Sequence, residues 1–154
     1  MNAIALPPTL ELMLDLTDEQ FWQLCENNRD LRFERTATGE LIIMPPTGSE
    51  TGRRNMANRS PDAAWIKKER WEALTAEQQE KFAPICPDFV VELRSPSDNL
   101  ENLQKKMREY IANGARLGWL LNRQNREVEI YRPNREVEIK RSPTTLSGED
   151  VLPG

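Results

Sequence analysis

The segment from residue 87 to residue 121 constrains the fold more than any other part of the sequence. An apolar run rich in β-branched residues, Phe89-Val90-Val91-Glu92-Leu93, is typical of a buried strand. Residues 99–113 follow with apolar side chains at helical spacing and Gly114 at their end, which predicts a helix. Trp119-Leu120-Leu121 then predicts a central strand. With a further apolar run at 63–66, this order predicts an α/β fold, a mixed sheet with a crossover helix on one face.

The first part of the chain predicts a short helix and a β-hairpin. Residues 1–16 show weak periodicity and two adjacent prolines, so we expect a loosely structured lead-in. Thr17-Asp18-Glu19-Gln20 has the form of a capping box, and a helix is expected to begin there. Alternating apolar residues at 31–33 and 41–43 flank a turn that contains glycine, which predicts a hairpin.

Three further segments complete the predicted organisation. Residues 47–60 are polar without core-forming periodicity, and we interpret them as a loop. Residues 67–83 are highly charged and mostly helix-favouring. The sequence Arg-Glu-Val-Glu-Ile occurs at 126–130 and again at 135–139, and its period-2 alternation predicts a second hairpin near the C-terminus.

The chain of 154 residues contains no histidine. This excludes Ser-His-Asp and Cys-His nucleophile systems, histidine general bases and zinc sites that use histidine. Carboxylate, lysine and metal-ion chemistry remain, or no chemistry. Cys25 and Cys86 lack CxxC spacing, and the sequence has neither a basic apolar leader nor an apolar run long enough to span a bilayer. We therefore expect one cytoplasmic domain over 1–154, without a membrane segment.

Glu92 is the first candidate for chemistry, because it lies inside an apolar strand. A buried carboxylate is costly unless it is paired, protonated or bound to a metal. Asp88 shares its strand face, but the two Cα atoms would be roughly 13 Å apart, too far to share one cation. Asp62 opens another strand and could converge with Glu92 if the strands are neighbours about 4.8 Å apart. The structural alternative is a salt bridge between Glu92 and Arg94, two residues further along the same face.

Lys106 is the candidate for a third group. On a helical wheel it borders the apolar stripe of Leu103 and Tyr110, whereas Lys105 points to the far side. A lysine near a metal can orient the attacking water or stabilise charge on a phosphoryl oxygen. The structural alternative is a snorkelling lysine that covers the edge of the core.

Several of these segments together resemble the Uma-two family of proposed restriction endonucleases, within the PD-(D/E)XK nuclease superfamily. The matching stretches are Met44-Pro45-Pro46-Thr47, Pro61 to Trp65, Pro87 to Ser97, Lys106 to Tyr110 with Gly114, Trp119 to Leu121, and Thr145 to Gly154. The resemblance implies a restriction-endonuclease-like mixed central sheet flanked by helices, with N-terminal and C-terminal β-hairpins. It also implies Mg²⁺ or Mn²⁺ as cofactor and hydrolysis of DNA phosphodiester bonds.

The same resemblance implies roles for individual residues. Asp62 matches the metal-binding aspartate, Glu92 the acid of the E-x-K motif, and Lys106 the lysine that this family carries on the following helix. Arg94 stands where that motif has lysine; it could contact phosphate, but its high pKa prevents it from acting as a base.

The chain also departs from that family between residues 54 and 58, where relatives carry a long helix and strands. We expect this helix and the strands to be missing here, with Glu50 the nearest remaining acid. A second subunit is one way to cover the sheet face that the helix would cover, which makes a homodimer a candidate.

Two other functions stay open at the level of sequence. An inactive relative would bind nucleic acid or a protein partner without cleavage. Salt-sensitive nucleic-acid binding would then use Arg53, Arg54, Arg59 and Lys67-Lys68. In a purely structural reading, Glu92 pairs with Arg94 and Lys106 is solvated.

Overall fold

The computed structural model describes residues 10–29, 31–44, 53–54, 57–80 and 83–153. In chain order, the elements are β1 (Leu10–Met13), α1 (Asp18–Asn27), β2 (Arg32–Arg35), β3 (Glu40–Met44), β4 (Arg53–Arg54), β5 (Ala57–Asn58), β6 (Ala63–Trp65), α2 (Lys68–Glu72), α3 (Ala76–Glu80), β7 (Phe89–Leu93), α4 (Leu100–Ala112), β8 (Leu117–Asn122), β9 (Glu127–Tyr131) and β10 (Glu138–Arg141).

These strands form two sheets. The N-terminal sheet has the order β1-β3-β2-β5-β4, and the C-terminal sheet has the order β10-β9-β8-β7-β6. β7 runs parallel to β8, and α4 makes the crossover between them, whereas β6, β9 and β10 add antiparallel neighbours. The predicted α/β class, the mixed sheet and both hairpins are therefore confirmed.

Local signals explain where α1 and α4 begin. The Thr17 hydroxyl accepts the backbone N–H of Gln20 while the Gln20 side chain accepts the N–H of Thr17, so the predicted capping box is present. Asn99 caps α4 by accepting the N–H of Asn102. Gly114, at φ +112°, ends that helix in the left-handed region that favours glycine.

Some sequence-based expectations were wrong. Residues 10–13 are not part of a loosely structured lead-in, because they form an edge strand paired with β3. This strand is mostly exposed, so its sequence lacks the apolar alternation of a half-buried strand. The predicted loop at 47–60 contains β4 and β5, strands of two residues, too short to show periodicity. The strand at 63–65 exists, but its alanines are exposed because it lies at the edge of its sheet.

The second hairpin also differs in its bounds. Its last strand spans 138–141 rather than 135–139, with Glu138 opposite Ile130. The reason lies in the turn: Pro133 has no N–H to donate to a ladder, and Asn134 adopts φ 56°. The turn between the two strands is therefore longer than the repeated sequence suggests.

The C-terminal sheet is covered on both faces. Met107 and Tyr110 of α4 pack with Val90 and Leu120 on one face, where a Cβ on Gly118 would lie 2.6 Å from the Met107 Cε. On the other face, Leu146, Val151 and Leu152 pack with Phe89, Leu117 and Ile130. The chain thus supplies a cover of its own for the second face.

Two predictions on organisation stay open. The single domain over 1–154 and the helix and strands missing between about 54 and 58 remain predictions, since residues 55–56 lie outside the described residues. Within the described ranges, none of the helices has both the length and the apolar character needed to cross a membrane.

Candidate active site

Glu92 and Lys106 meet between the C-terminal sheet and α4. Glu92 is 3% exposed on β7, and Lys106 is 7% exposed on the inner side of α4. The Lys106 Nζ lies 2.9 Å from the Glu92 Oε1. The helical wheel therefore identified the correct inward-facing lysine, and the solvated Lys106 of the structural reading is wrong.

A second carboxylate, from Glu34 of β2, shares the same ammonium group. The Lys106 Nζ donates to the Glu34 Oε1 at 2.9 Å and to the backbone carbonyl of Ser60 at 2.9 Å. An ammonium group has three N–H donors, and here Glu92, Glu34 and Ser60 offer one acceptor each. The N-terminal sheet thus reaches into the site of the C-terminal sheet.

Glu34 is a residue of this cluster that was not predicted from the sequence. In an alternating strand, a glutamate next to Phe33 has the pattern of a solvent-facing residue, yet Glu34 is only 2% exposed. Its partner Lys106 is 72 residues away in the chain. No local signal in one sequence could have joined the two.

Basic groups surround Glu34. Arg59 donates to its Oε2 at 3.1 Å, and the Ser60 N–H donates to its Oε1 at 3.1 Å. Burial acts to raise the pKa of Glu34, but the positive charges of Lys106, Arg59 and Arg32 together hold this pKa below its usual value. Glu34 is therefore a charged carboxylate in the interior.

Glu92 behaves differently. Burial and the negative charges of Glu34 and Asp62 together raise the pKa of Glu92 to about 7, although Lys106 acts to lower it. The Tyr110 hydroxyl donates to the Glu92 Oε1 at 3.0 Å, and burial raises the pKa of Tyr110 well above its usual value, so it stays a donor. Glu92 is thus poised between its protonated and charged forms near neutral pH.

Lys106 keeps its proton. Burial acts to lower its pKa, but the adjacent carboxylates of Glu34 and Glu92 raise the pKa of Lys106 above its usual value. Lys106 is consequently a fixed positive charge, suited to stabilising negative charge on an oxygen rather than to removing protons.

Asp62 stands beside this cluster at the surface. β6 and β7 are antiparallel neighbours, and their register, Ala63 opposite Val91, continues to bring Asp62 opposite Glu92. The Asp62 Oδ2 accepts the backbone N–H of Leu93 at 2.7 Å. The strand adjacency that the sequence argument required is present.

Asp88 and Arg94 do not join Glu92. Asp88 is buried, forms an ion pair with Arg70 at 2.7 Å and accepts the N–H of Lys67 at 3.0 Å, in agreement with a structural role at the strand start. Among the described contacts, the Glu92 carboxylate pairs with Lys106 and Tyr110 rather than with Arg94, so that predicted salt bridge is wrong. The buried Arg94 Nε has no hydrogen-bond partner there.

The other predicted DNA-contacting residues occupy different surroundings. Arg59 is held inside by Glu34 and by Glu109 of α4, the latter at 2.7 Å. Arg53 and Arg54 form β4. Lys67 and Lys68 are exposed at the start of α2. Glu50 lies outside the described residues. DNA contacts by these residues remain predictions.

The donor set fits a hard divalent cation. Mg²⁺ is commonly bound by one or two carboxylates together with water, and Asp62 and Glu92 are two carboxylates close enough for the charge of one to raise the pKa of the other. A cation between them would offset that repulsion. In the described part of the chain, no group of three or more His, Cys, Asp or Glu side chains is arranged to hold a metal.

The fold is a mixed sheet with a crossover helix, and acidic residues and a lysine lie where the helix packs on the sheet. This arrangement agrees with a restriction-endonuclease-like protein. The family model described as "Uma2: Putative restriction endonuclease" matches residues 53–154, more than half of the chain. The chain belongs to this family.

A search of curated proteins found no match. The chain is also similar to a solved structure, the "putative nuclease belonging to DUF820 from Anabaena variabilis ATCC 29413". The sequences are 21% identical and the TM-score is 0.48. The similarity covers 81% of this chain and 63% of that one.

Proposed function

We propose that the protein is a divalent-metal-dependent DNA endonuclease that hydrolyses phosphodiester bonds, with Mg²⁺ or Mn²⁺ as cofactor. Family membership supports the nuclease class. The observation that carries the proposal is the charged ammonium group of Lys106, fixed 2.9 Å from Glu92, with Asp62 on the adjoining strand.

Each residue of this site has a role that its surroundings support. Asp62 and Glu92 would hold the cation through carboxylate oxygens, Asp62 from the exposed side and Glu92 from the buried side. When bound, the cation would polarise a phosphate and make a water molecule more acidic. Lys106 would stabilise the negative charge that develops on a phosphoryl oxygen. Tyr110 holds Glu92 in place.

The net reaction consumes one water molecule. The water oxygen adds to phosphorus, one phosphorus–oxygen ester bond breaks, and the departing oxygen ends as a hydroxyl group beside a phosphate monoester. Arg94 would bind a neighbouring phosphate, because its guanidinium can contact two phosphate oxygens at once. Arg53 and Arg54 are the further candidates for DNA contact, whereas Arg59 is engaged by Glu34 and Glu109.

Cleavage of supercoiled plasmid tests this proposal. Wild-type protein with Mg²⁺ or Mn²⁺ should produce nicked or linear DNA, and Asp62→Asn should not. Asp15→Asn is a matched control, because Asp15 is also an exposed aspartate but lies before α1. Cleavage by Asp62→Asn at the wild-type rate would reject the metal-binding role of Asp62.

A second candidate is an inactive nucleic-acid-binding relative. It is favoured by one observation, that protein groups already occupy all three N–H donors of Lys106. In that case gel shifts would show binding that weakens as salt rises, without cleavage at any metal concentration. Absence of binding at low salt would reject this candidate.

A further inference from the structure

Glu34 lies outside residues 53–154, which the family model matches, yet it contacts the lysine of the candidate site. We propose that Glu34 is a positioning residue, whose carboxylate fixes the ammonium group of Lys106 beside Glu92, so that the N-terminal sheet completes the active site. This inference rests on the proposed nuclease function and adds a residue to it.

The geometry defines the position of the ammonium group at three points. Its acceptors come from three separate parts of the fold: β2 supplies Glu34, β7 supplies Glu92, and the segment before β6 supplies the carbonyl of Ser60. A long, flexible lysine side chain would otherwise sample many rotamers. Three acceptors at 2.9 Å limit this freedom of the Lys106 side chain.

Glu34 also fixes another of these acceptors. The same Oε1 that accepts from Lys106 accepts the backbone N–H of Ser60 at 3.1 Å. Removing the carboxylate would therefore take away one direct partner of Lys106 and one of the hydrogen bonds that hold Ser60, whose carbonyl also accepts from Arg32. Glu34 is thus one of the three acceptors and helps to hold a second.

The other carboxylate oxygen of Glu34 is tied to α4 through Arg59. Arg59 donates to the Glu34 Oε2 at 3.1 Å and to the Glu109 Oε2 at 2.7 Å. Glu109 lies three residues after Lys106, on the same side of the helix. Glu109 thus links the same two parts of the fold, but the described contacts join it to Arg59 and to the backbone N–H of Ala37, and not to Lys106.

This arrangement offers a matched pair of variants. Glu34→Gln and Glu109→Gln each remove one carboxylate that pairs with Arg59, and only Glu34→Gln also removes a charged partner of Lys106. If Glu34 only links the sheet to the helix, both variants should show the same Lys106 Nζ signal and the same cleavage rate. If Glu34 positions Lys106, the signal and the rate should be lower in Glu34→Gln than in Glu109→Gln.

The first readout is independent of activity. In protein labelled with ¹⁵N-lysine, a buried and hydrogen-bonded ammonium group should give a slowly exchanging Nζ signal, assigned by its absence from Lys106→Met. We expect this signal in the wild type and in Glu109→Gln, and a weaker, faster-exchanging signal in Glu34→Gln, whose amide oxygen can accept a hydrogen bond but carries no charge. Glu34→Asp, which keeps the charge on a shorter side chain, should restore part of it.

The second readout is plasmid cleavage in Mn²⁺. Loss of a positioning contact should lower kcat roughly 10- to 100-fold in Glu34→Gln, with little change in KM for DNA, and Glu34→Asp should recover part of kcat. Glu109→Gln should cleave close to the wild-type rate. Unfolding temperatures of all variants identify effects that are only structural.

Equal loss of the Nζ signal in Glu34→Gln and Glu109→Gln would overturn the inference, and so would a wild-type signal and kcat in Glu34→Gln. If the wild type itself cleaves no DNA, the nuclease function fails, while the Nζ signals still decide whether Glu34 fixes Lys106. If Glu34→Gln does not fold, Glu34→Asp carries the test. Its side chain is one methylene shorter and cannot hold the ammonium group at the same point, so a wild-type signal and a wild-type kcat in Glu34→Asp would overturn the inference.

Discussion

Two adjacent lysines on α4 have opposite surroundings. The side chain of Lys105 is 64% exposed and lies 3.4 Å from Glu101 one turn away, whereas the side chain of Lys106 is 9% exposed and has three acceptors at 2.9 Å. A step of one residue turns the helix by about 100°, which separates solvent from the core. The comparison shows that the position on the helix, rather than the residue type, determines which lysine can serve a site.

The largest difference should appear in stability. Lys106→Met leaves Glu34 and Glu92 buried without their ammonium partner, so the free energy of unfolding should fall by about 3–5 kcal/mol. Lys105→Met removes an exposed pair within one helix and should cost less than about 0.5 kcal/mol. Urea unfolding of both variants measures this difference. Similar losses of unfolding free energy in the two would show that the two lysines do not differ in this way.

Manganese binding should depend on Asp62 and Glu92 and not on the exposed Lys105. A ligand that binds only the folded state raises the free energy of unfolding, by about 2.7 kcal/mol at one hundred times its Kd. Mn²⁺ should therefore stabilise the wild type and Lys105→Met. Thermal unfolding with and without Mn²⁺ measures this stabilisation.

The control for this measurement is a pair of aspartates. Asp62→Asn should lose the stabilisation by Mn²⁺, whereas Asp15→Asn should keep it. An equal rise in unfolding temperature for both variants would mean that the ion binds elsewhere.

A smaller effect is expected from the tyrosines that face this side of the sheet. Tyr110 donates to Glu92, and Tyr131 donates to Glu129 within the same sheet. Replacing either by Phe removes one hydrogen bond to a carboxylate, so each variant should lose about 1 kcal/mol of stability. Cleavage should decrease only in Tyr110→Phe, and equal activity of the two variants would argue against a role for Tyr110 in holding Glu92.

Much of the C-terminal half could be predicted from sequence. Helices and strands have fixed periods, so the spacing of apolar residues in α4 and the β-branched run of β7 indicate directly which side chains are buried. The same periods identified Lys106 as facing inward, and the adjacency of two strands brought Asp62 opposite Glu92.

The N-terminal half was less predictable for a physical reason. β1 is an exposed edge strand, and β4 and β5 are two residues long, so none of them shows a usable alternation. Glu34 stays charged although it is buried, because positive charges from distant parts of the chain surround it. Such a site depends on tertiary contacts that local patterns do not record.

The most direct test of the central claim is single-turnover plasmid cleavage by Glu92→Gln. This substitution keeps the size of the side chain and can still accept from Tyr110, but it removes the charge that would bind a cation. We expect metal-dependent cleavage by the wild type and by the control Glu101→Gln, and none by Glu92→Gln. Cleavage by pure Glu92→Gln at the wild-type rate would contradict this claim.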